Sequence, residues 1–348
     1  MRIGIVGHFG GHKNFTDGQS VKVKSLYNAL LIHSKGIKID KVDTYYLKSN
    51  PIKFVLDVIK CIIVDRKIIF FPAYRGRKFL FPFFYYVKLI FRKDIFHDCI
   101  AGSLDKEIED NKKWKKYLNK FDSNWMESPE QVEKLIKIGI SNCIYIPNFK
   151  NIQPIKHEAI NAKSINIPFR FCTFSRVESK KGIEDALIAI RNINLREGYT
   201  KATLDVYGPI QKGHELWFEN IQQKYQNECI YKGCAQPDES VEILKDYFAL
   251  LFPTQYYTEG MPGTIIDAMF AGIPVIARRW AWCSNMITDN YNGISYDFDK
   301  PELLEQIIED VINHPEKIIS LKHNCVQESE KYSESKIIKD IIKIIKMN

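Results

Sequence analysis

Residues 258–272 read TEGMPGTIIDAMFAG, and the fold of the chain can be inferred outward from this stretch. The acidic residue Glu259 enters a turn rich in glycine and proline, Gly260–Gly263. A helical pattern follows and carries Asp267 eight positions after Glu259. Glycines in such a turn keep side chains away from a ligand, and the first N–H groups of the helix have no partner within it.

The borders of this helix are also marked in the sequence. Pro262 is typical of the first turn of a helix and Gly272 of its end. Strand-like apolar runs lie on either side, at 247–253 and 273–277. The turn therefore opens a helix at the carboxyl end of a parallel strand, where α/β proteins bind phosphates and nucleotides. An ordinary strand-to-helix turn with a capping acid gives the same pattern, so the motif alone leaves both interpretations open.

Strand and helix patterns alternate along the whole chain, which predicts a doubly wound α/β protein. The 348 residues exceed what one core usually serves, and a polar stretch without periodicity, 150–167, predicts a linker. We therefore expect two Rossmann-like domains facing a cleft, 1–160 and 161–328, and a C-terminal helix within 329–348 that crosses back to the first domain. The predicted strands are 2–7, 41–46, 67–72, 94–98, 123–127, 143–147, 169–175, 202–208, 229–233, 247–253, 273–277 and 294–296.

Cysteines and apolar runs limit the class of protein. The eight cysteines form no CxxC pair and mostly lie in apolar runs, which predicts buried thiols in a reducing compartment and no metal site. The chain starts at once with the strand-like MRIGIVG, so we expect no signal peptide. It contains no run of 18 apolar residues, which argues against a transmembrane helix.

The net charge of +8 is unevenly distributed. The first 150 residues hold 27 Lys+Arg against 15 Asp+Glu, whereas the rest hold 23 against 27. A basic first half predicts an anionic partner, which could be nucleic acid, an acidic membrane or a phosphorylated substrate. A lysine-rich composition without a specific partner would give the same surplus.

A second candidate site is formed by Arg176 and Lys181. They follow the strand-like run FRFCTFS and come just before Gly182 and a helical pattern. A guanidinium and an ammonium five residues apart at a strand end can both reach one diphosphate. A charged surface turn that starts a helix with glycine is the alternative interpretation.

The first strand leads into a third candidate, the glycine-rich loop Gly7–Gly11 with Gly18 at the start of the next helix. Its spacing does not fit GxGxxG, and no suitable acidic residue follows about 20 positions later, so a NAD dehydrogenase is poorly supported. A glycine at a helix N-terminus can still lie against a pyrophosphate. A flexible loop with a capping residue remains equally compatible with the sequence.

The fourth candidate is the strand Asp94–Asp98, which ends in His97 and Asp98. Functional groups gather at strand ends in this class of fold. A lone histidine is, however, more often a structural hydrogen-bonding group.

Two further stretches resemble functional motifs but can also be explained as ordinary structural elements. Asp297 and Asp299 form a DxD that could bind Mg²⁺ or Mn²⁺, but a polar turn before a helix explains them better. The segment Arg75–Lys93 mixes basic and aromatic residues, as an interfacial membrane segment or a nucleic-acid platform does. A buried helix with charged ends would also fit, although Pro82 argues against one unbroken helix.

Together these sites resemble the retaining glycosyltransferases of family four, which have the GT-B fold. The segment from Glu259 to Asp267 is similar to the family's E-x7-E signature, here E-x7-D. The resemblance covers nearly the whole chain and is greatest to bacterial enzymes that build capsule, exopolysaccharide or O-antigen units. It is carried by the glycine-rich first loop, His97, Ile146–Asn148, Phe174–Arg176 with Lys181 and Gly182, Val206–Gly208 and the Glu259…Asp267 segment.

The resemblance implies a role for each matching position. Arg176 and Lys181 would hold the donor's diphosphate, and Glu259 would contact the donor sugar at the reaction centre. Asp267, one methylene shorter than the usual Glu, would bind the ribose, and His97 would lie near the anomeric carbon. The remaining donor-binding positions would be Gly18, Gly208, Gly233, Gly260, Met261, Pro262, Gly263 and Thr264.

The implied chemistry is transfer from a nucleotide-sugar, expected to be a UDP-sugar, with retention and without a cofactor or metal. A fixed Arg, a fixed Lys and a helix N-terminus would stabilise the leaving diphosphate. We expect a lipid-linked or oligosaccharide acceptor in the basic half and no nucleic acid. The protein is then expected in the cytoplasm, held peripherally on the anionic inner face of the membrane.

Two other classes of function stay open at this point. A GT-B nucleotide-sugar 2-epimerase would need further acids and bases in the cleft. A non-enzymatic nucleic-acid binder would use the basic aromatic segment and leave Arg176, Lys181 and Glu259 without a shared purpose.

Overall fold

The structure, a computed structural model, describes residues 1–12, 18–100, 102–160, 166–236 and 238–347. The chain forms two compact units, one of Met1–Asn151 with Tyr332–Asn348 and one of Ile152–Lys331. The sequence-based division put these borders at 160 and 328. The predicted linker, 150–167, includes 161–165, which lie outside the described residues.

Each unit is built from alternating strands and helices, as the sequence pattern predicts. The strands are β1 Arg2–Gly7, β2 Lys38–Asp43, β3 Lys67–Phe70, β4 Asp94–Asp98, β5 Ser123–Met126, β6 Cys143–Tyr145, β7 Phe169–Phe174, β8 Ala202–Tyr207, β9 Cys229–Gly233, β10 Ala249–Phe252, β11 Val275–Arg278 and β12 Gly293–Tyr296. The helices are α1 Gly18–His33, α2 Tyr46–Ser49, α3 Pro51–Val64, α4 Tyr74–Phe91, α5 Leu104–Asp110, α6 Lys113–Leu118, α7 Pro129–Lys137, α8 Ile183–Glu197, α9 Glu215–Lys224, α10 Ser240–Leu244, α11 Gly263–Phe270, α12 Leu303–Asn313, α13 Glu316–Ser329 and α14 Glu334–Met347.

The first unit is a parallel sheet in the order β2-β1-β3-β4-β5-β6 with helices on both faces. Successive residues of β3 point to opposite faces, so Ile68 and Phe70 pack in one core cluster and Ile69 in the other. α3 and α4 contribute to the cluster of Phe70, whereas α1 and α14 contribute to that of Ile69. Both faces are covered, as expected of an all-parallel sheet.

The second unit has the sheet order β12-β11-β10-β7-β8-β9, again parallel throughout. The strand order reverses between β7 and β10, because the chain moves outward from β7 in one direction and then returns to start at β10 in the other. In doubly wound sheets, ligands bind outside the carboxyl ends of the strands at this reversal. The two segments that follow β7 and β10 are those that the sequence singled out.

Strand β2 lies three residues earlier than the sequence pattern predicts. It spans Lys38–Asp43 and pairs with β1 from Arg2↔Lys38 onward, whereas the apolar pattern pointed to 41–46. β2 is an edge strand whose first four residues are at least partly exposed. Its polar lysines are therefore tolerated there, and the apolar pattern missed its start.

Helix α4 runs unbroken through Pro82, so the prediction of an interruption was wrong. A proline inside a helix costs about 3 kcal/mol. Phe81, Phe84 and Tyr85 are buried beside it. Each large apolar side chain contributes about 1.5–3 kcal/mol when it is fully buried. Core packing therefore outweighs the local penalty.

The C-terminal region forms three helices, of which the last returns to the first unit. Ile338 and Ile341 of α14 pack in the same core cluster as Leu26 and Leu30 of α1. Glu334, at the start of α14, accepts a 3.0 Å hydrogen bond from His33 when that ring is protonated at Nε2. The described residues include no helix long and apolar enough to cross a bilayer.

Candidate functional site

The segments that follow β7 and β10 meet through an ion pair. Lys181 Nζ donates a hydrogen bond to Glu259 Oε1, and Thr254 Oγ1 donates to the same oxygen at 3.2 Å. Only 11% of the Lys181 side chain and 17% of the Glu259 side chain are exposed. The Lys181 ammonium also lies 5.2 Å from the centre of the Tyr256 ring. Two residues 78 positions apart in the sequence are thus brought together at the reversal of the strand order.

Arg176 belongs to the same turn but is far more exposed. Its guanidinium lies 3.5 Å from Glu178 Oε1 and donates to Gln211 Oε1 at 3.3 Å. Glu178 also accepts a 3.2 Å hydrogen bond from the Tyr256 hydroxyl. Partial burial and the Glu178 carboxylate raise the pKa of Tyr256. Arg176 and Lys181 are therefore connected through Glu178 and Tyr256, and the exposed guanidinium is available to an anion.

Two glycines are required by the backbone around this turn. Gly182 has φ 71°, and a Cβ atom there would lie 2.0 Å from the Pro253 carbonyl oxygen. Gly208 has φ 133°, and a Cβ atom there would lie 1.9 Å from the Ser175 carbonyl oxygen. Only glycine fits both positions. Gly208 was predicted as a donor-binding residue, and close chain packing already accounts for it.

The glycine-rich turn opens helix α11 as predicted, with Pro262 just before the first helical residue, Gly263. The Gly260 carbonyl accepts a 3.2 Å hydrogen bond from Trp280 Nε1, and Met261 is buried. The Thr264 hydroxyl is buried without a hydrogen-bond partner among the described residues. The first N–H groups of a helix have no intrahelical partner and carry partial positive charge, so this end of α11 favours an anion.

Asp267 lies in the middle of α11, and only 3% of it is exposed. Its Oδ1 atom accepts a 2.9 Å hydrogen bond from Ser240 Oγ, at the start of α10. Of the other predicted donor-binding glycines, Gly233 ends β9 and accepts a 2.8 Å hydrogen bond from Gly208 N. Gly18 begins α1 in the first unit and has open space where a side chain would be.

His97 lies in the core of the first unit, near the carboxyl end of β4. It is fully buried, and its ring centre lies 5.3 Å from that of Phe70 and 5.0 Å from that of Phe81. The Nδ1–H group donates to Asn124 Oδ1 at 3.1 Å if the proton sits on that nitrogen. Burial, with a smaller effect of Arg77, lowers the pKa of His97 to about 3. A neutral ring without access to solvent fits the structural alternative that the sequence left open.

We expect His97 to make folding sensitive to acid. The unfolded chain takes up a proton on this residue below about pH 6.5, whereas the folded chain resists it down to about pH 3. The free energy of unfolding should therefore fall by up to about 1.4 kcal/mol per pH unit across this window. Urea unfolding of wild type and His97→Phe between pH 7 and pH 4 measures this slope. Equal slopes in the two proteins would contradict the assignment.

The first unit also contains a buried charged cluster around Asp98, of which the sequence analysis missed Lys22 and Glu127. Lys22 Nζ donates to Asp98 Oδ1 at 2.5 Å, to Glu127 Oε1 at 2.9 Å and to the Cys99 carbonyl at 3.2 Å. Burial raises the pKa of Asp98 to about 6, and Lys22 opposes this shift. The available sequence signal for Lys22 was a lysine on the mostly apolar, buried side of α1. The cluster lies at the carboxyl ends of β4 and β5.

The DxD has ordinary surface partners. Asp297 lies 3.5 Å from Arg279 and 3.8 Å from Lys300, in the turn before α12. Within the described part of the chain, no group of three or more His, Cys, Asp or Glu side chains is arranged to hold a metal ion. Seven cysteines are buried, whereas Cys234 is exposed.

The sequence analysis missed two members of the site in the second unit. Glu178 lies between Arg176 and Lys181 and was not considered, although it connects Arg176 with Tyr256. Tyr256 lies three residues before Glu259, in the loop that precedes the glycine-rich turn. A conspicuous pair of tyrosines between a strand and the motif was the available signal.

Comparison with known proteins identifies a matching family, two relatives and a similar solved structure. Residues 158–332 match the family described as "Glycosyl transferases group 1". An "Uncharacterized 41.2 kDa protein in cps region" of Klebsiella pneumoniae is 22% identical over 93% of this chain and 84% of its own length. The "Alpha-monoglucosyldiacylglycerol synthase" of Streptococcus pneumoniae is 24% identical over 41% of this chain and 32% of its own length. The crystal structure of Anabaena HepE in complex with UDP has a TM-score of 0.75 at 14% identity, with 100% of both chains covered.

Proposed function

The chain belongs to the group 1 glycosyl transferases and has the GT-B fold. On this premise we propose that it transfers a sugar from a nucleotide-sugar to a lipid-linked acceptor with retention of configuration. The observation that carries the proposal is the contact between Lys181 and Glu259 where the strand order of the second unit reverses. It joins a cation suited to a diphosphate with an acid suited to sugar hydroxyls in one place.

The donor's diphosphate lies, in this proposal, between Arg176, Lys181 and the first turn of α11. Arg176 supplies a planar fork of donors, Lys181 a compact charge, and the helix N-terminus oriented N–H groups. The diphosphate replaces Glu259 as the main partner of Lys181 when the donor binds. These groups are fixed before the reaction, so they stabilise the charge that develops on the leaving group without reorganisation.

The released Glu259 carboxylate then accepts hydrogen bonds from the donor sugar. Asp267 contributes to the ribose contact if a ribose hydroxyl takes the place of the Ser240 hydroxyl. In the transfer step, the acceptor oxygen forms a bond to the anomeric carbon on the face from which the diphosphate departs. The bond from the anomeric carbon to the phosphate oxygen breaks, and the acceptor's hydroxyl proton passes to that oxygen. Attack on the same face retains the anomeric configuration.

The choice of substrates rests on the relatives and on charge. HepE is described in complex with UDP, which supports a UDP-sugar donor here. The relative from a cps region supports a role in capsule synthesis, and the glucosyldiacylglycerol synthase supports a lipid acceptor. The surplus of positive charge in residues 1–150 fits an acceptor that carries phosphate, and it also fits peripheral attachment to an anionic membrane.

A two-stage experiment tests the function. A panel of nucleotide-sugars is first screened for thermal stabilisation, since a ligand at 100 times its Kd stabilises by about 2.7 kcal/mol. The stabilising donor is then supplied with a radiolabelled sugar and extracted bacterial lipid. We expect label in the lipid and release of the nucleotide diphosphate. An epimerised nucleotide-sugar without transfer would instead identify a 2-epimerase, and salt-sensitive RNA binding without donor binding would identify a nucleic-acid binder.

We expect turnover to be independent of divalent metal ions. Arg176, Lys181 and the α11 N-terminus already provide positive charge at the proposed diphosphate site, and Asp297 is engaged with basic neighbours. The test is the initial rate of transfer in EDTA compared with the rate in Mg²⁺ or Mn²⁺. Loss of activity in EDTA that Mn²⁺ restores would assign a metal to the reaction and direct attention back to Asp297 and Asp299.

A further inference from the structure

Helices α3 and α4 of the first unit expose an unusual amount of apolar surface. They comprise 32 of the 348 residues, yet they carry 13 of the 27 large apolar side chains that are exposed in the described chain. Scattered exposed apolar residues are normal, but a concentration of this kind marks a surface that contacts something else. Both helices pack on the same face of the sheet.

The exposed side chains form one row on each helix. On α3 the row is Ile52, Leu56, Ile59 and Ile63, and on α4 it is Phe79, Phe83, Tyr86 and Ile90. Both rows have the spacing i, i+4, i+7 and i+11, which places their members along one side of a helix. We name these two rows the apolar rows.

The apolar rows are not the sides that face the core. On α3, Cys61 and Ile62 are buried, and on α4 Phe81 and Phe84 are buried. Each helix is therefore apolar both toward the sheet and toward the outside. A concentrated row of exposed apolar side chains marks a surface that contacts lipid or another molecule.

Charge around the apolar rows is strongly one-sided. From Lys48 to Lys93 the chain has eleven Lys and Arg, and its only acids are Asp57 and Asp65. Asp65 is buried, and Asp57 accepts a 2.5 Å hydrogen bond from Lys53. Among the basic residues, Lys60 and Arg66 each leave 63% of the side chain exposed. Exposed cations beside exposed apolar and aromatic side chains are the composition of an interfacial, membrane-surface helix.

We propose that α3 and α4 insert the apolar rows into the headgroup region of an anionic bilayer. This inference deepens the proposed function, and it rests on that function only in that a lipid-linked acceptor would lie at the same surface. The apolar rows supply binding energy that salt does not screen, and the surrounding Lys and Arg select anionic lipid. Attachment is thus not purely electrostatic, in contrast to what the charge surplus alone predicts.

Two features favour a bilayer over a second copy of the chain. A symmetric dimer through this surface would bring two strongly basic patches together, which costs electrostatic energy. Tyr74 and Tyr86 of α4 are exposed, and tyrosine is enriched at the interface between water and lipid. Arg77, which lies within the basic segment Arg75–Lys93, does not contribute to this surface, because it is fully buried and donates to Glu107 at 2.5 Å.

Vesicle flotation with the full chain tests the proposal. The vesicles are of phosphatidylglycerol and phosphatidylcholine, and binding is measured at 0.1 M and 1 M NaCl, where the Debye length falls from about 10 Å to about 3 Å. We expect at least half of the bound wild type to stay on the vesicles at 1 M NaCl. The triple variant Ile52→Gln, Leu56→Gln, Ile63→Gln should bind at least 10-fold more weakly at both salt concentrations.

The matched control is Leu195→Gln with Leu216→Gln in the second unit, where both side chains are 70% exposed. It should bind vesicles like the wild type. Thermal stabilisation of the triple variant by nucleotide-sugar should be unchanged, which separates this inference from the donor site. Complete release of the wild type at 1 M NaCl, or equal binding by the triple variant, would overturn the insertion. A dimer in solution that the triple variant abolishes would overturn it as well and would assign the apolar rows to self-association.

Discussion

Replacing Lys181 with alanine is expected to lower turnover by a factor on the order of 10² or more, which corresponds to roughly 3 kcal/mol of lost transition-state stabilisation. Lys181 is largely buried, contacts Glu259 and lies against Tyr256, so its ammonium is held in a fixed position at the proposed diphosphate site. Arg176→Ala should have a comparable effect through loss of the planar fork of donors. The measurement is steady-state transfer of labelled sugar at saturating donor.

Lys180→Ala is the matched control for this prediction. Lys180 is adjacent in sequence and exposed, and its ammonium lies 5.7 Å from the Tyr256 ring centre. The Glu259 carboxylate is bound by the ammonium of Lys181 instead, so removal of Lys180 should change turnover by less than a factor of about 3. Near-wild-type rates in both Lys181→Ala and Arg176→Ala would contradict the proposal that these residues bind the donor's diphosphate. A collapse of the fold would be recognised by circular dichroism before the rates are compared.

Replacing Gly182 with alanine is expected to destabilise the second unit by about 2–5 kcal/mol. A residue with a side chain pays about 1–2 kcal/mol for the left-handed conformation, and forcing an atom into a packed region costs a further 1–3 kcal/mol. The new Cβ atom would lie 2.0 Å from the Pro253 carbonyl oxygen, and a backbone atom cannot move aside as a flexible side chain can. The shift should also displace Lys181, so donor binding should weaken in parallel.

Gly198→Ala separates the two contributions to this cost. Gly198 has φ 76°, close to the 71° of Gly182, but no atom lies within 4 Å of its would-be Cβ. It should therefore lose only about 1–2 kcal/mol. Urea unfolding followed by fluorescence and circular dichroism measures both variants. Equal losses would show that the contact with Pro253 is relieved by a backbone shift.

The architecture was readable from the sequence because it follows from local patterns. Apolar runs bounded by turns gave β1, β4 and β9 their correct limits, and the two Rossmann-like sheets are confirmed. The glycine-rich turn was correctly predicted to open a helix after a parallel strand. Glycine and proline mark such turns through their own backbone preferences, which do not depend on distant neighbours.

Predictions that depended on how distant segments pack around a residue were less accurate. The rule that proline breaks helices failed at Pro82, because the buried aromatic residues around it outweigh the local penalty. The full burial of His97 was not predicted, because the side chains that cover the end of β4 come from other segments of the chain. The apolar row of α3 was not recognised, because an apolar helix has the same sequence pattern whether its side chains face a core or the outside.

The sequence by itself determined the alternation of strands and helices, the glycine-rich turn before α11 and the basic pair after β7. Each of these is encoded within a few consecutive residues, by side-chain periodicity or by backbone conformational preference. Only the tertiary structure decided that Lys181 pairs with Glu259, that α14 packs against α1 and that the apolar rows lie on the outside. These outcomes depend on which distant segments cover a given side chain, and burial by distant segments leaves no local mark in the sequence.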